Sequence, residues 1–244
     1  MTKNTSLIEA INYRRSVRVY DENKAIDSEI VQKCIEQATL APNSSNMQLW
    51  EFHHITSTTI LEKLAVACLG QSAATTAIEM VVIVVRKDLW KQRTRTHISY
   101  LTKLFGVKPS NEYSRREKFA LNYYKKIMPF AYGEFLGIYG YIKYAISWLT
   151  GLFKPTYRQL RKSDIRVVAH KSAGLAAQTF MLGMAAEGYD TCPMEGFDSL
   201  RVKKALQLPA KSQVNMVISC GIRKPEGVYG DRFRIPFSTI YKRW

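Results

Sequence analysis

The chain has 244 residues, 46% hydrophobic and 23% charged, an ordinary globular balance that fits one domain with a sizeable core. Its 36 Lys and Arg against 20 Asp and Glu give a formal charge of +16, so its partners are expected among anions: a phosphate cofactor, nucleic acid or an acidic membrane surface. The four cysteines, Cys34, Cys68, Cys192 and Cys220, have no paired spacing, which argues against a disulfide framework or a metal site and for a reducing compartment.

The N-terminus carries no apolar signal core, so a cytoplasmic location is expected. Residues 6–14 read as a first helix, with Leu7, Ile8, Ile11 and Tyr13 on or near one side. Arg14, Arg15, Ser16 and Arg18 follow at its end. Guanidinium forks and a serine hydroxyl match phosphate oxygens, and a solvated basic turn is the plainer alternative. Asp27 is the N-cap candidate for a second helix, whose period is set by Ile30, Val31, Cys34, Ile35 and Ala38. After it comes a polar run around Pro42, namely Asn43, Ser44, Ser45 and Asn46, then Gln48 and Trp50. Such side chains shape turns, and amides both donate and accept, which suits a ligand rich in carbonyls and ring nitrogens. Residues 52–55 read as a short strand and 60–67 as a helix, and Gln71 lies in the loop ahead of a β-branched run at 80–85. That run is uninterrupted, so a strand covered on both faces is predicted.

Residues 86–126 are rich in Lys, Arg and Tyr and are expected to be helical. Basic residues interleaved with aromatics can hold single-stranded nucleic acid, but a solvated helical face is the commoner cause of the pattern, and nucleic acid is disfavoured. Residues 135–153 are long and apolar, yet Gly140, Lys143, Ser147, Thr150 and Lys154 recur at three and four to form a polar stripe. Ile138, Ile142, Ala145, Ile146, Leu149, Leu152 and Phe153 lie on the other side, so the segment is amphipathic rather than spanning. Lys125, Lys126, Lys154, Arg158, Arg161 and Lys162 flank it. Two readings follow: a lid or helix packed on the protein or its dimer mate, which is preferred, and a helix lying on an anionic membrane surface. Residues 165–187 form the strongest helix, small or apolar nearly all round and therefore buried, with Gly188 as its stop. Asp198 caps a helix at 200–206, and 214–222 reads as a strand. The tail, 223–244, is apolar and aromatic and needs a docking surface, a partner subunit being one.

Four of these stretches together resemble the flavin-dependent nitroreductase family, over nearly the whole length apart from about residues 88–160. They are the R-x-S-x-R form of Arg14 to Arg18, the P-N-S-S-N-M-Q-L-W run from Pro42 to Trp50, the G-Y-D-T-C-P-M-E-G run from Gly188 to Gly196, and Arg232 with Arg234 ahead of Pro236. Each is weak alone, and their order makes them specific. The resemblance implies an α+β sandwich, with a mostly antiparallel central sheet flanked by helices, in a homodimer that is one domain per chain (residues 1–244) with a family-variable helical excursion at about 125–162. It implies FMN at the dimer interface. Arg14, Ser16, Arg232 and Arg234 match the phosphate-holding positions, with Arg15 beside them, and Arg18 matches the cation at the pyrimidine edge. Asn43, Ser44, Ser45 and Asn46 match the loop that reaches the flavin, partly from the other subunit. Gln71 matches an amide on the ring, and Pro193, Met194, Glu195 and Gly196 match the segment along the ring face.

The implied reaction takes a hydride from NADH or NADPH to a nitroaromatic, quinone or similar small-molecule acceptor. The alternatives are specialised flavin chemistry on the same fold (dehalogenation, flavin destruction or ring oxidation) or a flavin-binding protein associated peripherally with a membrane. No catalytic side chain and no metal are called for, because the cofactor carries the chemistry. The four histidines, including His53 and His54, are read as structural. Leu49 stands where the family usually has proline. The excursion lies where members vary most, and Phe135, Tyr139, Tyr144 and Trp148 are the residues expected to line a substrate lid.

Overall fold

Two short polar side chains start the first helices. In the computed structural model, which describes residues 5–134 and 138–244, Ser6 Oγ accepts from Glu9 N–H while Glu9 Oε2 accepts from Ser6 N–H. This reciprocal pair opens α1 (Leu7–Tyr13). Asp27 accepts from Glu29 N–H and opens α2 (Ser28–Ala38). The chain then forms β1 (Trp50–Ile55), α3 (Thr58–Ala67), α4 (Ser72–Thr75) and β2 (Glu79–Val85). The basic, tyrosine-rich region forms α5 (Trp90–Phe105) and α6 (Arg115–Asn122) rather than one helix. Gly106 sits at φ 77° and Pro109 follows, which ends the first of them. A π-turn at Tyr123–Ile127 leads to α7 (Met128–Tyr132), then α8 (Tyr139–Thr150) and the long α9 (Lys162–Ala186). β3 (Asp190–Met194), α10 (Ser199–Ala205, capped by Asp198), β4 (Gln213–Gly221) and α11 (Phe237–Ile240) complete it.

The strands make one antiparallel sheet in the order β1-β2-β4-β3. Side chains alternate across it. Val81, Ile83, Val85, Ile218 and Cys220 face α2 and α9 in one core. Met80, Val82, Val84, Val214 and Val217 face α3, α4 and α10 in the other. Every residue of β2 is buried, as the β-branched run predicts. The double cover comes from helices on both faces of an antiparallel sheet, not from parallel winding. A bulge opposite Ile83 and Val84 skips Asn215 and restores the alternation beyond it. The expected α+β sandwich is the fold observed. Its ends are distinct: at one, Trp50 of β1 pairs with Val85, which pairs with Gln213, and at the other Asp190 of β3 pairs with Gly221.

Candidate functional site

The basic segment after α1 is held against the Gly221 end of the sheet. Ser16 bridges Thr191, Val17 N–H donates to Thr191 O (3.2 Å), and Arg18 N–H donates to Gly227 O (2.6 Å). Two glycines permit this approach. A Cβ at Gly227 would lie 2.3 Å from Val19 O, and one at Gly221 would lie 2.7 Å from the Tyr20 ring, so no larger residue fits at either. The tail returns over the segment, and Arg14, Arg15, Ser16, Arg18, Tyr229, Asp231, Arg232 and Arg234 line a cavity of about 280 Å³. The residues matched to the phosphate are therefore brought together from the two ends of the chain.

Among the described residues, none of these five arginines forms a carboxylate ion pair. Burial, then the nearby Arg232 and Arg234, depress the Arg14 pKa. A partly desolvated guanidinium crowded by its own kind is a site waiting for an anion. Not all five are equally free. Arg232 donates to Asn12 O (3.0 Å) and Arg14 O (2.6 Å), closing the C-terminus of α1, and Arg15 donates to Gly230 O (2.8 Å). The buried carboxylate of Asp190 anchors the same corner. It accepts from Arg223 N–H (2.8 Å), from Nε (2.8 Å) and from Nη2. The Arg223 guanidinium also lies 4.5 Å from the centre of the Tyr13 ring. Sequence reasoning missed this clamp, because neither residue stands out from its neighbours in the chain.

Beyond this pocket, Gln71 meets the 193–196 segment. Its Nε2 donates to Gly196 O (2.8 Å) and Cys68 O (2.9 Å). Pro193 and Met194 lie in β3, Met194 buried, while Glu195 and Gly196 turn out to solvent. One side of the molecule thus carries the arginine pocket, Gln71 and the 193–196 edge.

The polar loop lies elsewhere. Asn43 Oδ1 accepts from Gln48 N–H (2.8 Å), Ser44 N–H donates to Ser172 Oγ (3.2 Å), and Ser45 and Asn46 adopt φ of 56° and 50°. Ser45 Oγ pairs with Tyr123 OH (2.7 Å), Tyr124 OH donates to Ser45 O (3.0 Å), and His97 Nε2 meets Asn46 O (2.6 Å). His97 stacks on Tyr124 with ring centres 4.5 Å apart. These three aromatic residues over-determine a left-handed turn that costs on the order of 1 kcal/mol per non-glycine residue. Their role at this turn is not legible in the sequence, since nothing local links them to residues 43–46. The loop sits at the Gln213 end of the sheet. Ser172 holds it on α9, whereas Gly188, just past α9, accepts from Tyr13 OH beside the arginine pocket. Sixteen residues of helical rise separate those two contacts, about 24 Å. In one chain, loop and pocket do not meet.

The excursion shares the loop's end of the molecule, with Gly140 against the backbone of Arg161 and Lys162 at the start of α9. Tyr139, Tyr144 and Trp148 therefore do not cover the arginine pocket of their own chain, and Phe135 lies outside the described residues. A larger cleft, about 1070 Å³, opens nearby between Lys87, Arg166, His170, Lys203 and Lys211, and contains none of the four motifs. Among the described residues no His, Cys, Asp and Glu group could hold a metal, and no helix is long and apolar enough to cross a membrane.

The sequence profile of the Nitroreductase family matches residues 11–222. The chain belongs to that family. Relatives include the Bacillus subtilis (strain 168) protein named "Putative NAD(P)H nitroreductase YdgI", 28% identical over 243 residues, 98% of each chain. Protein DrgA of Synechocystis is 27% identical over 215 residues, 88% of this chain and 83% of that one. Among solved structures, ydfN of Bacillus subtilis superimposes with a TM-score of 0.72 at 24% identity, over 97% of this chain and 98% of that one. A nitroreductase-fold protein of Exiguobacterium sibiricum, crystallised in complex with FMN, gives 0.66 at 23% identity over 99% of each chain. The family profile includes Arg14 to Arg18, residues 42–50, Gln71 and residues 188–196, and stops short of Arg232 and Arg234.

Proposed function

We propose that the protein is an FMN-dependent oxidoreductase that takes a hydride from NADH or NADPH and delivers it to a small-molecule acceptor of the nitroaromatic or quinone type. The observation that carries this reading is the arginine pocket: several guanidiniums, a serine and no carboxylate ion pair among the described residues. The donor set fits a phosphomonoester; the names of the relatives give NAD(P)H and a nitro acceptor, and one neighbour holds FMN, while the quinone class extends this reading. Arg14, Ser16 and Arg234 would hold the phosphate, with Arg232 fixing the helix end beneath them and Arg15 the tail above. Arg18 would face the pyrimidine edge, and Gln71 with Pro193, Met194, Glu195 and Gly196 would border the ring. When bound, the flavin supplies the two-electron chemistry, and the protein orients it and sets its potential through nearby charge.

The separation of the polar loop from the pocket supports a two-chain site. Asn43 to Asn46 can reach a flavin held by Arg14 only if that pocket belongs to a second copy. The same holds for any covering role of Tyr139, Tyr144 or Trp148. Leu7, Ile8 and Ile11 of α1, Val167 and Leu175 of α9, and tail residues Phe233, Ile235, Phe237 and Trp244 are exposed and offer the apolar area for a homodimer. The test is steady-state NADH and NADPH oxidation by FMN-loaded protein with menadione and nitrofurazone. Turnover with either donor supports the reading, and a loaded protein that passes no electrons to either acceptor refutes it.

A further inference from the structure

Helix α8 is built with its polar stripe inward. Gly140, Lys143 and Ser147 are its buried residues. Lys143 is only 1% exposed, and its ammonium donates to the carbonyls of Phe130 (3.0 Å), Ala131 (3.2 Å) and Gly133 (2.9 Å) around the C-terminal end of α7. Ser147 Oγ donates to Tyr157 O (2.6 Å). Hydrogen bonds therefore fix the polar face on the protein, and the opposite face is left outward. That face carries Ile138, Tyr141, Ile142, Ile146, Leu149 and Leu152, all about half exposed or more, and Phe153 at 89%. A soluble helix normally shows the reverse arrangement.

The rim is cationic. Residues 118–162 hold eight Lys and Arg and one acid, Glu134; of the eight, Lys143 is buried and Arg161 is paired with Asp164, which leaves six on the rim. Arg158 Nη2 donates to Gly151 O (2.8 Å) where α8 ends, Arg161 lies over the Tyr144 ring, and Lys125, Lys126 and Lys154 are exposed. Packing α8 directly on α8 of a second copy would bring two cationic rims together. An anionic surface relieves that repulsion. We propose that the outward face of α8 docks on an anionic phospholipid bilayer, its aliphatic side chains at the headgroup boundary and the flanking lysines and arginines on lipid phosphates. This reading does not depend on the flavin assignment.

The test is co-flotation of the full chain with vesicles of phosphatidylcholine alone and with an equal share of phosphatidylglycerol. Binding is expected to the anionic vesicles and to weaken as salt is raised. Ile146→Asp with Leu149→Asp is expected to abolish it. Lys154→Glu is expected to lower partitioning at least several-fold, since each cation near such a surface contributes roughly fivefold. Both substitutions sit on exposed positions, and an unchanged thermal midpoint verifies folding. As a second readout, dibromo-lipid quenching of tryptophan fluorescence is expected to fall in Trp148→Phe. No flotation, or flotation that survives Ile146→Asp with Leu149→Asp, overturns the proposal. So does dissociation of an oligomer by that double variant in the absence of lipid, which assigns the face to a second copy.

Discussion

Asp190→Asn isolates the clamp beneath the arginine pocket. The carboxylate is buried and its Arg223 partner partly so, with side-chain exposures of 1% and 26%. Burial would lower the Arg223 pKa, but hydrogen bonding and charge from Asp190 raise it overall, so the guanidinium is held charged by this one acid. Asparagine keeps the shape and removes the charge, leaving a partly desolvated cation and amide hydrogens facing donors. A fully buried broken pair costs about 3–5 kcal/mol. Discounting for the exposed part of Arg223 leaves roughly 2–3 kcal/mol. For a domain of this size each kcal/mol moves the thermal midpoint about 2–4 °C, so a fall of about 4–12 °C is expected. Differential scanning calorimetry of Asp190→Asn, Arg223→Met and the double variant measures it. The double variant should be less destabilised than the sum of the singles, because it leaves no orphan charge. Additive losses, or a loss under about 0.5 kcal/mol in Asp190→Asn, would show that the clamp is not an energetic unit.

The two-chain site predicts complementation. Mixing an Arg14→Ala/Arg18→Ala chain with an Asn43→Ala/Asn46→Ala chain by refolding should restore about a quarter of wild-type activity at random pairing, whereas a site made within one chain gives none. The four thiols should be inert in the folded protein: burial pushes Cys34 up to about 12 and Cys68 to about 11, and raises Cys192 and Cys220 as well. At pH 8, Ellman's reagent should titrate none within minutes and all four in guanidinium, and a fast native thiol contradicts the packing. The same shifts have a stability consequence. The unfolded thiols ionise above about pH 8.5 while the folded ones keep their protons, so these groups withdraw stability as pH rises past that value and have no effect below it. Tyr123→Phe/Tyr124→Phe should loosen the 43–46 turn by about 1–2 kcal/mol, seen as faster amide exchange there with little change at the arginine pocket.

Elements whose cause is local were legible in the sequence. The β-branched run gave β2, Asp27 and Asp198 gave their helix starts, and the small-residue stretch gave α9, because caps and periodicity act within a few residues. The sheet order was not legible, since pairing of β2 with β4 joins residues 128 (Val85 with Gln213) to 141 (Glu79 with Cys220) positions apart. The site divides in the same way. Arg14 to Arg18 and Arg232 with Arg234 could be matched by motif, and the structure adds that Arg232 is occupied by helix-end carbonyls. Asp190 with Arg223, and Tyr123, Tyr124 and His97 around Ser45, arise only from folding and carried no local signal. The amphipathic pattern of α8 was visible, but not which face the protein would keep. Three carbonyls near the end of α7 decide it by accepting from Lys143, whose stem alone would have suggested a solvent-facing residue.

The central claim is that the arginine pocket holds the phosphate of a flavin mononucleotide. Parallel titrations of the protein with FMN and with riboflavin, which has the same ring and no phosphate, test it most directly. FMN should bind at least a hundredfold more tightly. Arg14→Ala should weaken FMN by about 1.5–3 kcal/mol, roughly ten- to a hundredfold, and leave riboflavin almost unchanged. Equal affinities for the two ligands, or an Arg14→Ala variant that loses both alike, would place the cofactor elsewhere.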